Sequence, residues 1–166
     1  GGGIFEAIAA ADPPRHVPPL GGKGGRAFSE TAAAGSLLTG VRITVGPVYG
    51  NPCISSIQPL FHTASGRVEG AMRGKPQGNS MTIEARDGYA VAGFVMKTGW
   101  AVDGFKVVFM RINGEALDPT DRYESPWYGG RGGGAETPLG CDAKPVIGIE
   151  GRCGDGVDAL GIVQVP

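Results

Sequence analysis

From Leu20 onward the apolar residues fall in short runs set apart by glycine. Val41-Arg42-Ile43-Thr44-Val45 alternates apolar and polar, the period-two pattern of a half-buried strand. Phe105-Lys106-Val107-Val108-Phe109 and Ala159-Leu160-Gly161-Ile162-Val163 are runs of the same kind. Tyr89 to Val95 is another, with Ala92 and Gly93 where close packing wants small residues. No helical period appears in this region, so the pattern predicts an all-β domain. Residues 1–20 differ. Ile4, Phe5 and Ile8, with Ala7, Ala9, Ala10 and Ala11, suit one short amphipathic helix. Asp12-Pro13-Pro14 ends it, because proline disfavours helix at the residue before it. Pro18 and Pro19 follow. The expected division is a tail or linker over residues 1–20, lying on the domain and joining it to a larger parent protein, and one domain over residues 21–166.

The same pattern contains an internal repeat. Thr39-Gly40-Val41-Arg42, Ala92-Gly93-Phe94-Val95 and Ile147-Gly148-Ile149-Glu150 align, with glycines 53 and 55 residues apart. Ten residues after Gly93 and Gly148 come Asp103 and Asp158, each after a valine and before a small residue. In the first copy Ser55 follows Gly40 by fifteen residues, so that copy carries about five extra residues around Gly46-Pro47-Val48-Tyr49-Gly50. Each copy reads strand, glycine-bearing turn, strand. A glycine-rich stretch precedes each: Gly21 to Gly25, the looser Gly66 to Gly78, and Gly129 to Gly134. Three sheets packed about one axis bury a shared core that no single unit buries alone.

Composition sharpens this picture. The chain has 166 residues, which suits one domain with a core large enough to need no staples. Its 31 glycines and 13 prolines amount to a share that signals disorder when no pattern accompanies it. Here a pattern does, so the glycines are expected in turns and bulges where φ is positive. A net charge of −1 with no basic stripe excludes nucleic acid as a partner. No apolar run approaches the roughly 20 residues of a membrane span, so no membrane insertion is expected. Three cysteines leave two readings open: a Cys141–Cys153 bridge across neighbouring strands with Cys53 free, or three small buried hydrophobes. His16 and His62 have no ligand partners at metal spacing, and nothing marks a nucleophile elbow, so no metal, cofactor or enzymatic activity is expected. Trp127 and Tyr128 read as packing or rim aromatics, and Asp118-Pro119-Thr120-Asp121 as an Asx-type turn.

Three pieces of the chain resemble the jacalin-related lectin family. Gly21-Gly22-Lys23-Gly24-Gly25-Arg26-Ala27-Phe28 is similar to the opening G-G-x-G-G-x-x-F loop of that family. Ile147 to Gly161 is similar to its closing strand, G-x-x-x-D loop and last strand, and Ile54-Ser55-Ser56-Ile57-Gln58 falls at a corresponding hairpin. The resemblance covers residues 20–166. It implies a β-prism of three four-stranded Greek-key sheets, which agrees with the repeat.

The resemblance also implies a carbohydrate site between the opening glycine loop and the G-x-x-x-D loop. Carried over, it comprises Gly21, Gly22, Gly154, Asp155, Gly156 and Asp158. The chemistry is apt: a carboxylate accepts two vicinal hydroxyls with charge-assisted strength, and glycine lets backbone N–H groups come close. Asp158 would accept, while Asp155 and Gly156 would donate through their amides. Gly99, Trp100, Ala101 and Asp103 repeat the pattern, with Gly130 in the matching glycine loop, and form a second expected site. Trp100 adds a stacking face. The copy with Ser55 and Pro52 is expected to be silent. The expected partners are mono- or oligosaccharides and glycoconjugates, of mannose or glucose type, since Asp155 next to Gly154 is not aromatic and the chain runs uncleaved into the opening loop, unlike galactose-binding relatives. A homo-oligomer is compatible with this, and the setting leans to secreted or cell-surface. The alternative is a structural or protein-interaction β-prism without sugar binding. A glycosidase needs two carboxylates across a cleft, whereas Asp155 and Asp158 share one loop.

Overall fold

The computed structural model describes residues 3–166; Gly1 and Gly2, the start of the expected tail, lie outside it. The chain begins with one helix, α1 (Ile4–Ala9), and then runs through strands only. These are β1 (Arg15–Gly21), β2 (Arg26–Thr31), β3 (Leu37–Val48), β4 (Asn51–Thr63), β5 (Gly66–Glu69), β6 (Arg73–Gly74) and β7 (Met81–Glu84) in the first half. The second half adds β8 (Tyr89–Thr98), β9 (Val102–Asn113), β10 (Ala116–Glu124), β11 (Tyr128–Gly129), β12 (Thr137–Gly140), β13 (Val146–Cys153) and β14 (Val157–Gln164).

The strands form three antiparallel sheets, ordered β1-β14-β13-β2, β5-β4-β3-β7 and β10-β9-β8-β12. The short β6 and β11 pair with β4 and β9, continuing the outer tracks begun by β5 and β10. Each sheet is therefore four tracks wide, built on a central long hairpin: β3–β4, β8–β9 or β13–β14. The repeat read from the sequence is physical. The register shifts just before Gly40, Gly93 and Gly148, and again just before Val45, Thr98 and Cys153, five residues on in every copy. Bulges at equivalent places give the three sheets equivalent twist and curl.

The sheets curl round one apolar core. Val41, Phe94 and Ile149, equivalent in the alignment, are fully buried in it. So are Ile57, Phe105 and Leu160, each two residues after the Asp or Ser of its copy. One layer after another of this core is thus made by one residue from each sheet, as the repeat predicts.

The tail departs from expectation at its C-terminal end. Residues 15–20, assigned to the linker by their prolines, are most of β1, which pairs with the last strand from Arg15↔Gln164 to Gly21↔Ala159. The register breaks between Val17 and Leu20, where Pro18 and Pro19 lie, and an edge strand tolerates a missing donor there. The sheet therefore begins before the boundary at residue 21. The helix forms where expected, ahead of Pro13, and buries Ile4 and Ile8 against Leu37, Ala90, Val108 and Met110. These partners lie at the starts of β3 and β8 and late in β9, so the helix seals the end of the prism opposite the Asp103 and Asp158 loops. The cysteines are free: Cys53 is buried, while Cys141 and Cys153 are half-buried and form no bridge.

Candidate carbohydrate site

The three glycine stretches fold into one loop shape, used three times. Positive φ falls at its first and fifth positions: Gly21 and Gly25 (135° and 68°), Gly129 and Gly133 (93° and 83°), Gly74 and Gly78 (94° and 67°). Glycine is the residue that takes these values without strain. The second residue of each loop donates its amide to the Asp or Ser carbonyl: Gly22 to Asp158, Gly130 to Asp103 and Lys75 to Ser55, each at 2.8 Å. This bond sets the loop's height over the G-x-x-x-D turn. It also engages the Gly22 and Gly130 amides in the fold. Their lack of a side chain serves close packing: a Cβ would lie 2.1 Å from the Trp100 carbonyl oxygen at Gly22 and 2.2 Å from that of Pro52 at Gly130.

The fourth and fifth loop glycines cradle the carboxylate. A Cβ on Gly24 or Gly25 would come within 2.7 or 2.8 Å of an Asp158 carboxylate oxygen. On Gly132 or Gly133 it would come within 2.8 or 2.7 Å of an Asp103 oxygen. The turns themselves match, closed by Gly154 N–H to Gly156 O and Gly99 N–H to Ala101 O, both 3.0 Å. Gly154 and Asp155 are exposed at the first turn, and Gly156 is buried against Val48. The structure thus brings each expected set together, and both sets stand at one end of the prism. Arg152 holds the Gly24 and Gly25 carbonyls at 2.9 and 2.8 Å. Trp127 donates its indole N–H to Gly130 O at 3.0 Å, under the Arg131 guanidinium.

In the first copy Gln77 stands where the others have Gly24 and Gly132. Its side chain folds against Gly46 and donates to Pro47 O at 3.1 Å, while Ser55 bonds to Thr44 at 2.7 Å and is fully buried. The cradle there is filled by the protein's own atoms.

The five extra residues of that copy reach across to the other two. They lengthen the β3–β4 hairpin, whose tip, Tyr49-Gly50, stands between the two aspartates. Val48 packs with Cys53 and Ala101, and Cys53 donates its thiol to Asp103 at 3.8 Å. Tyr49 donates its hydroxyl to Asp158 at 2.6 Å. Val48, Tyr49, Asn51 and Cys53 wall a cavity of about 510 Å³ whose opposite side is Gly99, Trp100, Ala101, Asp103 and Gly133. Trp100 is 83% exposed at its rim. None of the hairpin residues was flagged by the motif, because the motif describes the loops and not what reaches over them.

The two aspartates differ in what surrounds their carboxylates. Asp103 is 7% exposed, and burial raises its carboxyl above the ordinary value of 3.8 despite the Cys53 thiol, its own backbone amide and Lys97, which pull it down. The Cys53 thiol is itself pushed up to about 11 by burial and by the Asp103 charge, so it stays a donor at neutral pH. Asp158 is 1% exposed and accepts from Tyr49 rather than from its own backbone. No group of three or more His, Cys, Asp or Glu able to hold a metal ion occurs among the described residues. The Asx turn is as read, with Asp118 accepting from the Thr120 amide and hydroxyl at 2.9 and 2.7 Å.

The sequence matches no family model and no curated protein. Solved structures do match. An artocarpin–mannotriose complex superposes with a TM-score of 0.72 at 16% identity, over 93% of this chain and 99% of that one. This is the β-prism of the jacalin-related lectins. Wild-type Malaysian banana lectin gives 0.67 at 18% identity, over 92% and 99%. A mannose-specific jacalin-related lectin from Morus nigra, in complex with mannose, gives 0.68 at 16%, over 95% and 97%. The resemblance first seen in three motifs therefore extends to the jacalin-related fold of nearly the whole chain.

Proposed function

We propose that this chain is a carbohydrate-binding module of mannose or glucose type that binds without catalysis, with the Asp103 site as its principal one. The observation that carries this reading is a buried carboxylate, cradled by glycines, that borders a cavity of about 510 Å³. Among the described residues no cation bonds to Asp103, and its donors are a weak thiol and its own backbone amide. A carboxylate so placed costs stability, so its use lies in what it accepts from outside. Two vicinal sugar hydroxyls fit that need, and the exposed Trp100 ring offers an apolar face to the sugar ring. The jacalin-related structures solved with mannose or mannotriose support the ligand class. Oligosaccharides and glycoconjugates are the natural form of such a ligand, and two sites at one end, or an oligomer, raise weak single-site affinity.

Titration calorimetry with methyl α-mannoside tests it. Binding is expected for the native chain, with most of the heat lost in Asp103→Asn. Absence of heat with mannose, glucose and galactose alike would turn the molecule into an interaction module.

A further inference from the structure

We propose that the Tyr49 hydroxyl is a resident stand-in for a sugar hydroxyl on Asp158, so that the Asp158 site is closed in the free protein and the Asp103 site takes sugar first. The inference rests on the sugar-binding reading and assigns each site its state. The Tyr49 hydroxyl meets the Asp158 carboxylate at 2.6 Å, the charge-assisted O–H to carboxylate bond that a hexose hydroxyl would make. It lies in the glycine cradle itself, since a Cβ on Gly24 would be 2.7 Å from both the Tyr49 hydroxyl and Asp158 Oδ2.

The cap is no part of the shared architecture. It comes from the hairpin extension that only one copy carries. Tyr49 sits at the tip with φ of 51° and is 62% exposed, so its ring has little packing to lose on swinging away. The Asp103 site carries no equivalent hydroxyl. Its side-chain donor is the Cys53 thiol at 3.8 Å, and open space lies beside it. A sugar at Asp158 must therefore displace Tyr49, whereas Asp103 borders a cavity already open beside it. The apparent affinity of a site populated as open only in part falls by that fraction. Tyr49 thus decides which of two otherwise matching sites responds.

The test isolates the Asp158 site by Asp103→Asn and removes the cap by Tyr49→Phe, which keeps the ring. Methyl α-mannoside is titrated into the native chain, Asp103→Asn and Asp103→Asn/Tyr49→Phe, with thermal melts to show that each is folded. The expected result is about tenfold tighter binding in the double variant than in Asp103→Asn, the scale of one hydrogen bond to a charged group. Equal affinities, weaker binding in the double variant, or no heat in either, with the native chain binding, would overturn the cap and leave the sugar-binding reading standing. No heat in the native chain with any hexose would remove both. Should Asp103→Asn fail to fold, Gly132→Ala closes the same site by placing a methyl in the cradle.

Discussion

Asp103 and Asp158 hold the same place in two copies of one loop, yet only one of them borders open space. The difference lies in single atoms. Asp158 has a phenol hydroxyl to accept from, and Asp103 has a thiol. Burial raises the Asp103 carboxyl above 3.8, and this has two consequences of opposite sign. Only the ionised form accepts two sugar hydroxyls, so binding should fade as pH drops through the raised value, sooner than for an ordinary carboxylate. Stability runs the other way. A carboxyl whose folded value lies above its unfolded one favours folding below the unfolded value, and that benefit is lost as pH rises through the folded one. Asp103→Asn should therefore abolish the acid-limb fall in affinity, by abolishing binding at this site, while melting no lower than the native chain at neutral pH. Calorimetry across acid pH, with melts on the same samples, checks both. A variant that loses stability at neutral pH would mean that Asp103 serves the fold. The loop glycines divide in the same way. Positions one and five need positive φ in all three loops, whereas position four is glycine only where a carboxylate is cradled. The aspartates, and the glycine loops that face them, were legible from the motif. Tyr49 was not, because its contact with Asp158 spans 109 residues of sequence and depends on how far a hairpin reaches.

At the scale of elements, alternation and spacing predicted the central hairpins well, since their faces are set by burial. The edges were harder to read. Residues 15–20 look like a linker because Pro18 and Pro19 break the strand pattern, yet an edge strand needs donors on one side only. Their strand identity comes from the far end of the chain, through pairing with β14, and no local window contains that partner. This reassigns the N-terminal region: α1 is a seal and β1 is a sheet strand. We expect Ile8→Ala to cost about 2 kcal/mol, and so to lower the melting temperature by roughly 5 °C, through lost contact with Leu37, Ala90 and Met110. Sugar affinity should not change, because the helix lies at the opposite end. Removal of residues 1–14 should leave a folded but less stable binder. Removal of residues 1–21 should abolish folding, since it strips an edge from the sheet that holds β14. Expression and melts of the two truncations decide where the domain begins.

The whole molecule repeats one hairpin-and-loop device three times, and the copies differ at the Asp or Ser position, in the loop that faces it and in the length of the β3–β4 hairpin. The core layers are equivalent in all three sheets, so packing does not ask for aspartate at any one of them. The first copy shows what the fold uses where no carboxylate stands: Ser55, fully buried, bonded to Thr44, with the Gln77 side chain laid against Gly46. This makes a reciprocal test possible. Ser55→Asp puts a carboxylate where Asp103 and Asp158 have theirs, but with neither cavity nor open cradle. The uncompensated charge should cost about 3 kcal/mol at neutral pH. Its carboxyl would be raised by burial, so the loss should shrink as pH falls and the group becomes protonated, and it should be greatest above the raised value. Chemical denaturation of Ser55→Asp across acid and neutral pH reads this directly. Adding Gln77→Gly, which empties the cradle and lets water in, should recover part of the loss at neutral pH. If Ser55→Asp were as stable as the native chain at neutral pH, the argument that the other two aspartates are retained for ligand rather than for fold would lose its support.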